Sequence, residues 1–355
     1  MKKVVVGMSG GVDSSVAALL LQQQGYEVIG AMMKLSDPLP SETVKRATCC
    51  SLEDASDARR VCAQLNIPFY VFNTKAEFQK EVIASFVEEY LNGKTPNPCV
   101  RCNDKIKFEY FYKKARELGA DFIATGHYVR KIWDETQKGW KLLKALDLQK
   151  DQSYFLFTIT QEELAHTLFP IGHLTKAEVR AIAEQHGLKT SNKAESQEIC
   201  FVPNQEHGSF IDRYQGEHKS TKGFFVDESG KPLGEHQGIH YYTVGQRRGT
   251  HVAAGEKLYV KLIDVSSKNI ILAKDESLYT NYLTATDVRW LKACASGSTV
   301  TAKIRYGHEG SRAQLEFQSP EQLRVVFDKP QRAITAGQVV VFYQGEELVG
   351  GGWII

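Results

Sequence analysis

The chain has 355 residues, enough to bury a sizeable core and, by length, to form two or three domains rather than one. With 42% hydrophobic and 24% charged residues and no apolar run long enough to span a bilayer, it reads as a folded globular protein outside the membrane. A formal net charge of +2 is far below that of a dedicated nucleic-acid binder, so charge neither demands nor excludes an RNA partner.

Met1-Lys2-Lys3 runs straight into Val4 to Val6 with no room for a signal or transit sequence, which predicts a cytoplasmic protein. Its seven cysteines then read as buried apolar residues plus a few reactive or metal-binding thiols, not as a disulfide framework. Val4 to Val6, Ser14 to Gln24, Val28 to Met33, Asp54 to Gln64 and Phe69 to Phe72 alternate β-branched runs with helical stretches, which predicts βαβ units and a parallel sheet. Helices are expected at Glu77 to Leu91 and Asp104 to Leu118, and a short buried strand at Asp121 to Thr125 ends in Gly126-His127-Tyr128. A further helix at Lys176 to His186 lies between a Thr175 cap and Gly187.

Beyond Pro203 the texture changes to Gly-punctuated strands with little helical periodicity, as in Gly223 to Val226 and Leu258 to Val265. Thr299 to Tyr306, Ala313 to Phe317, Leu323 to Phe327, Val339 to Tyr343 and Leu348 to Ile355 have the spacing of a small closed or sandwiched antiparallel sheet. The predicted architecture is an α/β, Rossmann-like parallel-sheet domain over residues 1–205, a small β-rich domain over 206–278 and a C-terminal antiparallel β-barrel over 279–355.

The strongest local signal is a strand, then Gly7-Met8-Ser9-Gly10-Gly11-Val12-Asp13-Ser14, then a helix. Backbone N–H groups and the positive helix end meet there, where an anion can bind, and the glycines permit close backbone approach. The lysine that ends the G-x-x-x-x-G-K-[ST] loop is absent. The stretch instead resembles the pyrophosphate loop of the PP-loop ATPases, which split ATP between its α and β phosphates and adenylate a carbonyl oxygen. In such a loop Ser9 and Ser14 donate to phosphate oxygens and Asp13 suits magnesium or loop orientation.

Thr95-Pro96-Asn97-Pro98-Cys99-Val100-Arg101-Cys102-Asn103 reads as a rigid loop leading to a helix capped at Asn103 or Asp104. Cys102 would then sit beside a helix N-terminus with Arg101 and Lys105 near, an environment that favours thiolate. Cys200 follows in Ala194 to Phe201. Together with Ala124 to Tyr128, Lys150-Asp151-Gln152-Ser153-Tyr154 and Tyr242 to Gly249, these stretches make the chain resemble the tRNA-specific 2-thiouridylases from end to end.

That resemblance implies ATP-dependent 2-thiolation of the wobble uridine at tRNA position 34, with Gly7 to Ser14, Met33 and Gly126 binding ATP. It implies Cys102 as nucleophile and Cys200 as persulfide carrier, with a Cys102–Cys200 disulfide formed in turnover. It further implies tRNA contacts from Asn97, Pro98, Cys99, His127, Lys150, Asp151, Gln152, Arg305, Tyr306 and Gln338. The implied partners are tRNAs for lysine, glutamate and glutamine and a sulfur donor such as a cysteine desulfurase or relay protein, with ATP and Mg2+ required. Some family members carry aspartate where this chain has Cys99, which leaves the proton-transfer role unassigned.

Other readings stand beside these. Cys99, Cys102 and Cys200 supply three ligands for an iron–sulfur cluster, although a persulfide relay is the favoured use. His127 alone also reads as a packed polar residue, Arg247-Arg248 as a solvated turn, and Phe108, Tyr110, Phe111 and Tyr112 as core. Cys49, Cys50, Cys62 and Cys294 read as structural, with Cys62 on an apolar helix face. Rival functions are another PP-loop adenylating enzyme without this sulfur chemistry and a non-catalytic tRNA-binding protein.

Overall fold

The first elements of the computed structural model follow the alternation read from the sequence: β1 (Lys3–Gly7), α1 (Val12–Gln23), β2 (Glu27–Lys34), α2 (Leu52–Gln64) and β3 (Phe69–Asn73). The structure describes residues 1–35, 52–191, 193, 199–202, 206–216 and 221–355; Cys49 and Cys50 lie outside them. The helix expected at Glu77 to Leu91 is α3 (Lys75–Phe78), a π-helical turn at Gln79–Ile83, and α4 (Ala84–Leu91).

The next helix starts earlier than expected. It runs as α5 (Pro98–Arg101), a π-helical stretch over Cys102–Tyr110, and α6 (Phe111–Glu117). Proline's fixed φ and missing N–H suit a helix's first turn, so Pro98 opens the helix that it was expected to precede.

Then follow β4 (Phe122–Ala124), a hairpin of β5 (Val129–Asp134) and β6 (Gly139–Lys144), α7 (Gln161–Ala165), β7 (Thr167–Leu168) and α8 (Lys176–Gln185). The hairpin escapes the sequence reading because charged and apolar residues do not alternate cleanly along Val129-Arg130-Lys131-Ile132-Trp133. α8 has the expected boundaries: Thr175 and Glu178 form a reciprocal capping box, worth about 1 kcal/mol, and Gly187 takes a positive φ of 64°.

α9 (His207–Gln215) is a helix in the stretch beyond Pro203 that was expected to carry strands with little helical periodicity. After it come β8 (Gly223–Val226), β9 (Pro232–His236), β10 (Tyr259–Asp264), β11 (Asn269–Ala273), β12 (Tyr279–Trp290), β13 (Thr299–Lys303), β14 (Ser311–Phe317), β15 (Gln322–Arg332), β16 (Val339–Gln344) and β17 (Glu347–Ile354).

These elements divide into two compact units: residues 1–82, 99–204 and 345–349, and residues 83–98, 205–344 and 350–355. In the first, a parallel sheet has the order β3-β2-β1-β4-β7, with Val5 paired to Ile29 on one side and Ile123 on the other. Val4, Val5 and Val6 are wholly buried, as a central parallel strand covered on both faces requires. The chain winds one way from β1 to β3 and returns on the other side at β4, so the loop after β1 lies at the switch point where such sheets bind ligands.

The second unit holds a mixed sheet, β10-β11-β8-β9, in which only β11 and β8 run parallel. It also holds a six-stranded antiparallel barrel, β12-β15-β14-β13-β16-β17, closed by pairing of β12 with β17. Alternation along β14 and β15 puts Ala313, Leu315, Leu323, Val325 and Phe327 inside. No helix among the described residues is long and apolar enough to cross a membrane.

Candidate active site

The loop between β1 and α1 is shaped by its glycines and serines. Gly10 has φ 73°, and a Cβ there would lie 2.4 Å from the Asp54 carbonyl oxygen, so the backbone passes α2 at a distance only glycine permits. Ser9 Oγ and Ser14 Oγ are 3.2 Å apart, Ser9 N donates to Ser14 Oγ at 3.2 Å, and Ser14 Oγ donates to the Gly11 carbonyl at 3.2 Å. No side chain caps α1 at Gly11, which leaves the first-turn N–H groups facing the loop for an anion. Gly126, just past β4, packs so closely on α1 that a Cβ would lie 2.8 Å from Ser14 N. Met8 and Val12 are core residues beneath the loop, and Met33 is half-buried on β2. The structure therefore gathers Gly7 to Ser14 and Gly126 around one helix end.

Asp13, in the first turn of α1, is engaged on both oxygens. Lys176 Nζ donates to Oδ1 and Oδ2 at 2.8 Å each, and the Tyr128 hydroxyl donates to Oδ1 at 2.7 Å. Sequence reasoning saw Lys176 only as a helix start, because no local pattern signals a partner 163 positions away. Lys193 was likewise missed: it pairs with Asp54 and Asp57 of α2 at 2.7 and 2.6 Å, beside the point where Gly10 passes.

The expected environment of Cys102 needs correction. The helix begins at Pro98, so Cys102 lies within the helical run, at the first residue of the π-helical stretch, and is buried. Lys105 Nζ pairs with Glu109 at 2.9 Å and lies 3.6 Å from Asp104, so two carboxylates offset its charge. π-helical segments are rare and occur frequently at functional sites, and this one starts at the thiol. The next residue, Asn103, is buried and donates from Nδ2 to the Phe155 carbonyl at 3.3 Å.

Cys99 is exposed, Cys200 half-buried, and both, like Cys62, Cys102 and Cys294, are thiols. Burial pushes the Cys62 thiol up to about 12, consistent with a structural role. Among the described residues no three His, Cys, Asp or Glu side chains gather to hold a metal ion.

Several residues expected to meet RNA are committed to the protein. His127 is buried, hydrogen-bonded through Nδ1 to Thr125 Oγ1 at 2.8 Å, and burial, aided by Lys107, pushes its imidazole well below the usual histidine value. Asp151 is buried and accepts from Ala145 N, Ser153 N and Ser153 Oγ; Gln152 Oε1 accepts from Tyr128 N at 3.0 Å. Lys150 is half-buried at the start of this turn. Phe108 and Phe111 are core as expected, while Tyr110 and Tyr112 are only half-buried.

In the second unit, Gln338 donates to two carbonyls of the segment that carries Asn97 and Pro98, rather than pointing outward. Arg305 and Tyr306 are exposed after β13, with Lys303 Nζ 5.9 Å from the Tyr306 ring centroid. A cation beside an exposed aromatic face suits a nucleic-acid backbone and base, and Lys303 was not singled out from sequence. Arg247 and Arg248 form an exposed turn, as expected.

Three family models match this chain: tRNA methyl transferase HUP domain over residues 2–204, tRNA methyl transferase PRC-barrel domain over 208–274, and aminomethyltransferase beta-barrel domain over 280–354. The chain is 50% identical to the tRNA-specific 2-thiouridylase MnmA of Geotalea uraniireducens (strain Rf4), with 99% of this chain and 95% of that one covered. It is 48% identical to the protein of the same name from Clostridium acetobutylicum, with 99% of both covered. Among solved structures, NMN synthetase from Francisella tularensis is a distant match: 17% identity, 62% of this chain and 79% of that chain covered, TM-score 0.35.

Proposed function

The chain belongs to the tRNA-specific 2-thiouridylase family, and from that premise we propose that Gly7 to Ser14 with Met33 and Gly126 hold the nucleotide while Cys102 and Cys200 handle the sulfur. It is an ATP-dependent sulfurtransferase that 2-thiolates the wobble uridine of tRNA. Full-length relatives at this identity set aside a small-metabolite adenylating enzyme and a non-catalytic tRNA binder.

The observation that supports the nucleotide assignment is the α1 terminus, left without a side-chain cap at the switch point of a parallel sheet. A uridine C2 carbonyl is a poor electrophile. Its oxygen attacks the α-phosphorus of ATP, the C2–O–P bond forms, the α–β bond breaks and pyrophosphate leaves. The terminal sulfur of a Cys200 persulfide then attacks C2 and AMP departs with the oxygen. Cys102 attacks Cys200 Sγ, breaking the S–S bond, leaving sulfur on C2 and a Cys102–Cys200 disulfide that an external thiol reductant reopens. Mg2+ would offset the charge of the leaving pyrophosphate, with Asp13 as its carboxylate ligand.

On this reading Asn97, Pro98, Cys99, Lys150, Arg305 and Tyr306 meet the tRNA. Asp151, Gln152 and Gln338 act through the backbone they hold, and His127 through the Thr125 hydroxyl. The sulfur donor is a persulfide-carrying desulfurase or relay protein, the substrates are tRNAs for lysine, glutamate and glutamine, and the working compartment is the cytoplasm. The partition at 1–205, 206–278 and 279–355 separates catalysis from the two β modules.

The test is nucleoside mass spectrometry of unmodified tRNA incubated with enzyme, ATP, Mg2+ and a persulfide donor. Cys102→Ser and Cys200→Ser abolish 2-thiouridine while tRNA-dependent pyrophosphate release from the adenylation step continues. Thiolation that survives loss of either cysteine sinks the relay, and thiolation only after iron–sulfur reconstitution favours the cluster.

A further inference from the structure

We propose that Lys176 is the cation that receives the terminal phosphates of bound ATP, and that Asp13 holds it beside the loop until the nucleotide arrives. The proposal rests on the assignment of Gly7 to Ser14 to the phosphates. A loop that splits ATP between its α and β phosphates must stabilise pyrophosphate as it leaves, and this loop carries no lysine of its own. The fold supplies one from elsewhere.

Lys176 is the first residue of α8, and its backbone is fixed there twice. The Thr175–Glu178 capping box sets the helix start, and Lys176 N donates to Asp147 Oδ2 at 3.0 Å. The side chain is 11% exposed and its ammonium lies 5.6 Å from the centre of the Tyr128 ring. Burying an ammonium requires a counter-charge, and Asp13 provides it with both carboxylate oxygens at 2.8 Å.

A carboxylate presenting two oxygens to a lysine offers the contact that a phosphate would make. Asp13 is the more open partner, 31% exposed against 11%, and sits in the first turn of α1 next to Ser14. A cation arriving with the nucleotide can therefore reach Asp13 from the solvent side. The carboxylate exchanges lysine for that cation, and Lys176 exchanges carboxylate for phosphate, so neither charge is left unpaired. Tyr128, donating to Asp13 at 2.7 Å, keeps the carboxylate in place through the exchange.

The experiment is calorimetric titration of the full-length protein with ATP, pyrophosphate and AMP, each with Mg2+, for wild type, Lys176→Met, Lys176→Arg and Ser14→Ala. A charge-assisted contact of this kind is worth about 10- to 100-fold in affinity. Lys176→Met is expected to weaken ATP and pyrophosphate by that factor and to leave AMP within about twofold, with Lys176→Arg restoring most of the loss. Parallel weakening of ATP and AMP would mean that Lys176 only shapes the loop through Asp13, and unchanged pyrophosphate binding would exclude the phosphate contact; either overturns the proposal. Ser14→Ala tests the loop separately: if it leaves ATP and pyrophosphate untouched, the nucleotide assignment fails first. Should the methionine variant not fold, the 13Cε resonance of Lys176 in wild type is the readout. It must move with pyrophosphate and stay still with adenosine, and no movement with pyrophosphate sinks the idea.

Discussion

Gln338 donates from its side-chain amide to the carbonyl oxygens of both Thr95 and Pro96, at 3.0 and 3.1 Å. Thr95 N donates to the Ala336 carbonyl at 2.8 Å, so the turn before β16 is laced to the segment that leads into Asn97 and Pro98. Gly337 adds to this closeness, since a Cβ there would lie 2.9 Å from the Thr95 carbonyl oxygen. A residue expected to touch RNA thus acts on the protein's own backbone.

Gln338→Ala removes two hydrogen bonds and is expected to cost about 1–2 kcal/mol of stability. Thiolation should slow about tenfold, the equivalent of about 1.4 kcal/mol of lost positioning, with tRNA affinity nearly unchanged. Filter binding beside single-turnover thiolation separates the two, and an equal fall in both would restore direct RNA contact.

Gly10→Ala should abolish ATP binding and destabilise the protein by about 1–3 kcal/mol, because φ 73° and the Asp54 carbonyl both oppose a Cβ. Gly25→Ala is the control: its φ is 83°, but nothing lies within 4 Å of the added carbon. It should cost about 1–2 kcal/mol and leave ATP binding intact. Denaturant melts with calorimetry check both.

Brief alkylation at neutral pH, read by peptide mass spectrometry, should mark exposed Cys99 first, Cys200 next and buried Cys102 more slowly. Cys62, buried with its thiol at about 12, should stay unmodified until the fold opens. Early labelling of Cys62 would contradict its placement.

Acid should destabilise the fold through its histidines. Burial lowers His127, His236, His240 and His308 below the ordinary value of 6.5. Above that value both folded and unfolded forms are neutral; as pH falls through it, the unfolded chain takes up protons that the folded chain resists. Stability is therefore present near pH 7 and is lost as pH falls below 6.5, most of all through the wholly buried His127. His127→Gln should flatten the slope of urea midpoints over this range, and an unchanged slope would mean that His127 protonates freely in the folded protein.

What the sequence by itself determined is what neighbours along the chain can encode. The β-branched runs of β1 and β2, the glycine loop before α1 and the Thr175 cap of α8 are local signals and were legible, as was a family pattern spread across the whole length. Register changes and long-range charge pairs are not local. That the helix starts at Pro98 and turns π-helical at Cys102, that His127 and Asp151 face inward, and that Gln338 holds Thr95 depended on packing that no window of sequence contains. The pairing of Asp13 with Lys176 was decided only by the tertiary structure, because a buried ammonium settles against whichever carboxylate the fold brings within reach, and here that carboxylate lies 163 positions away.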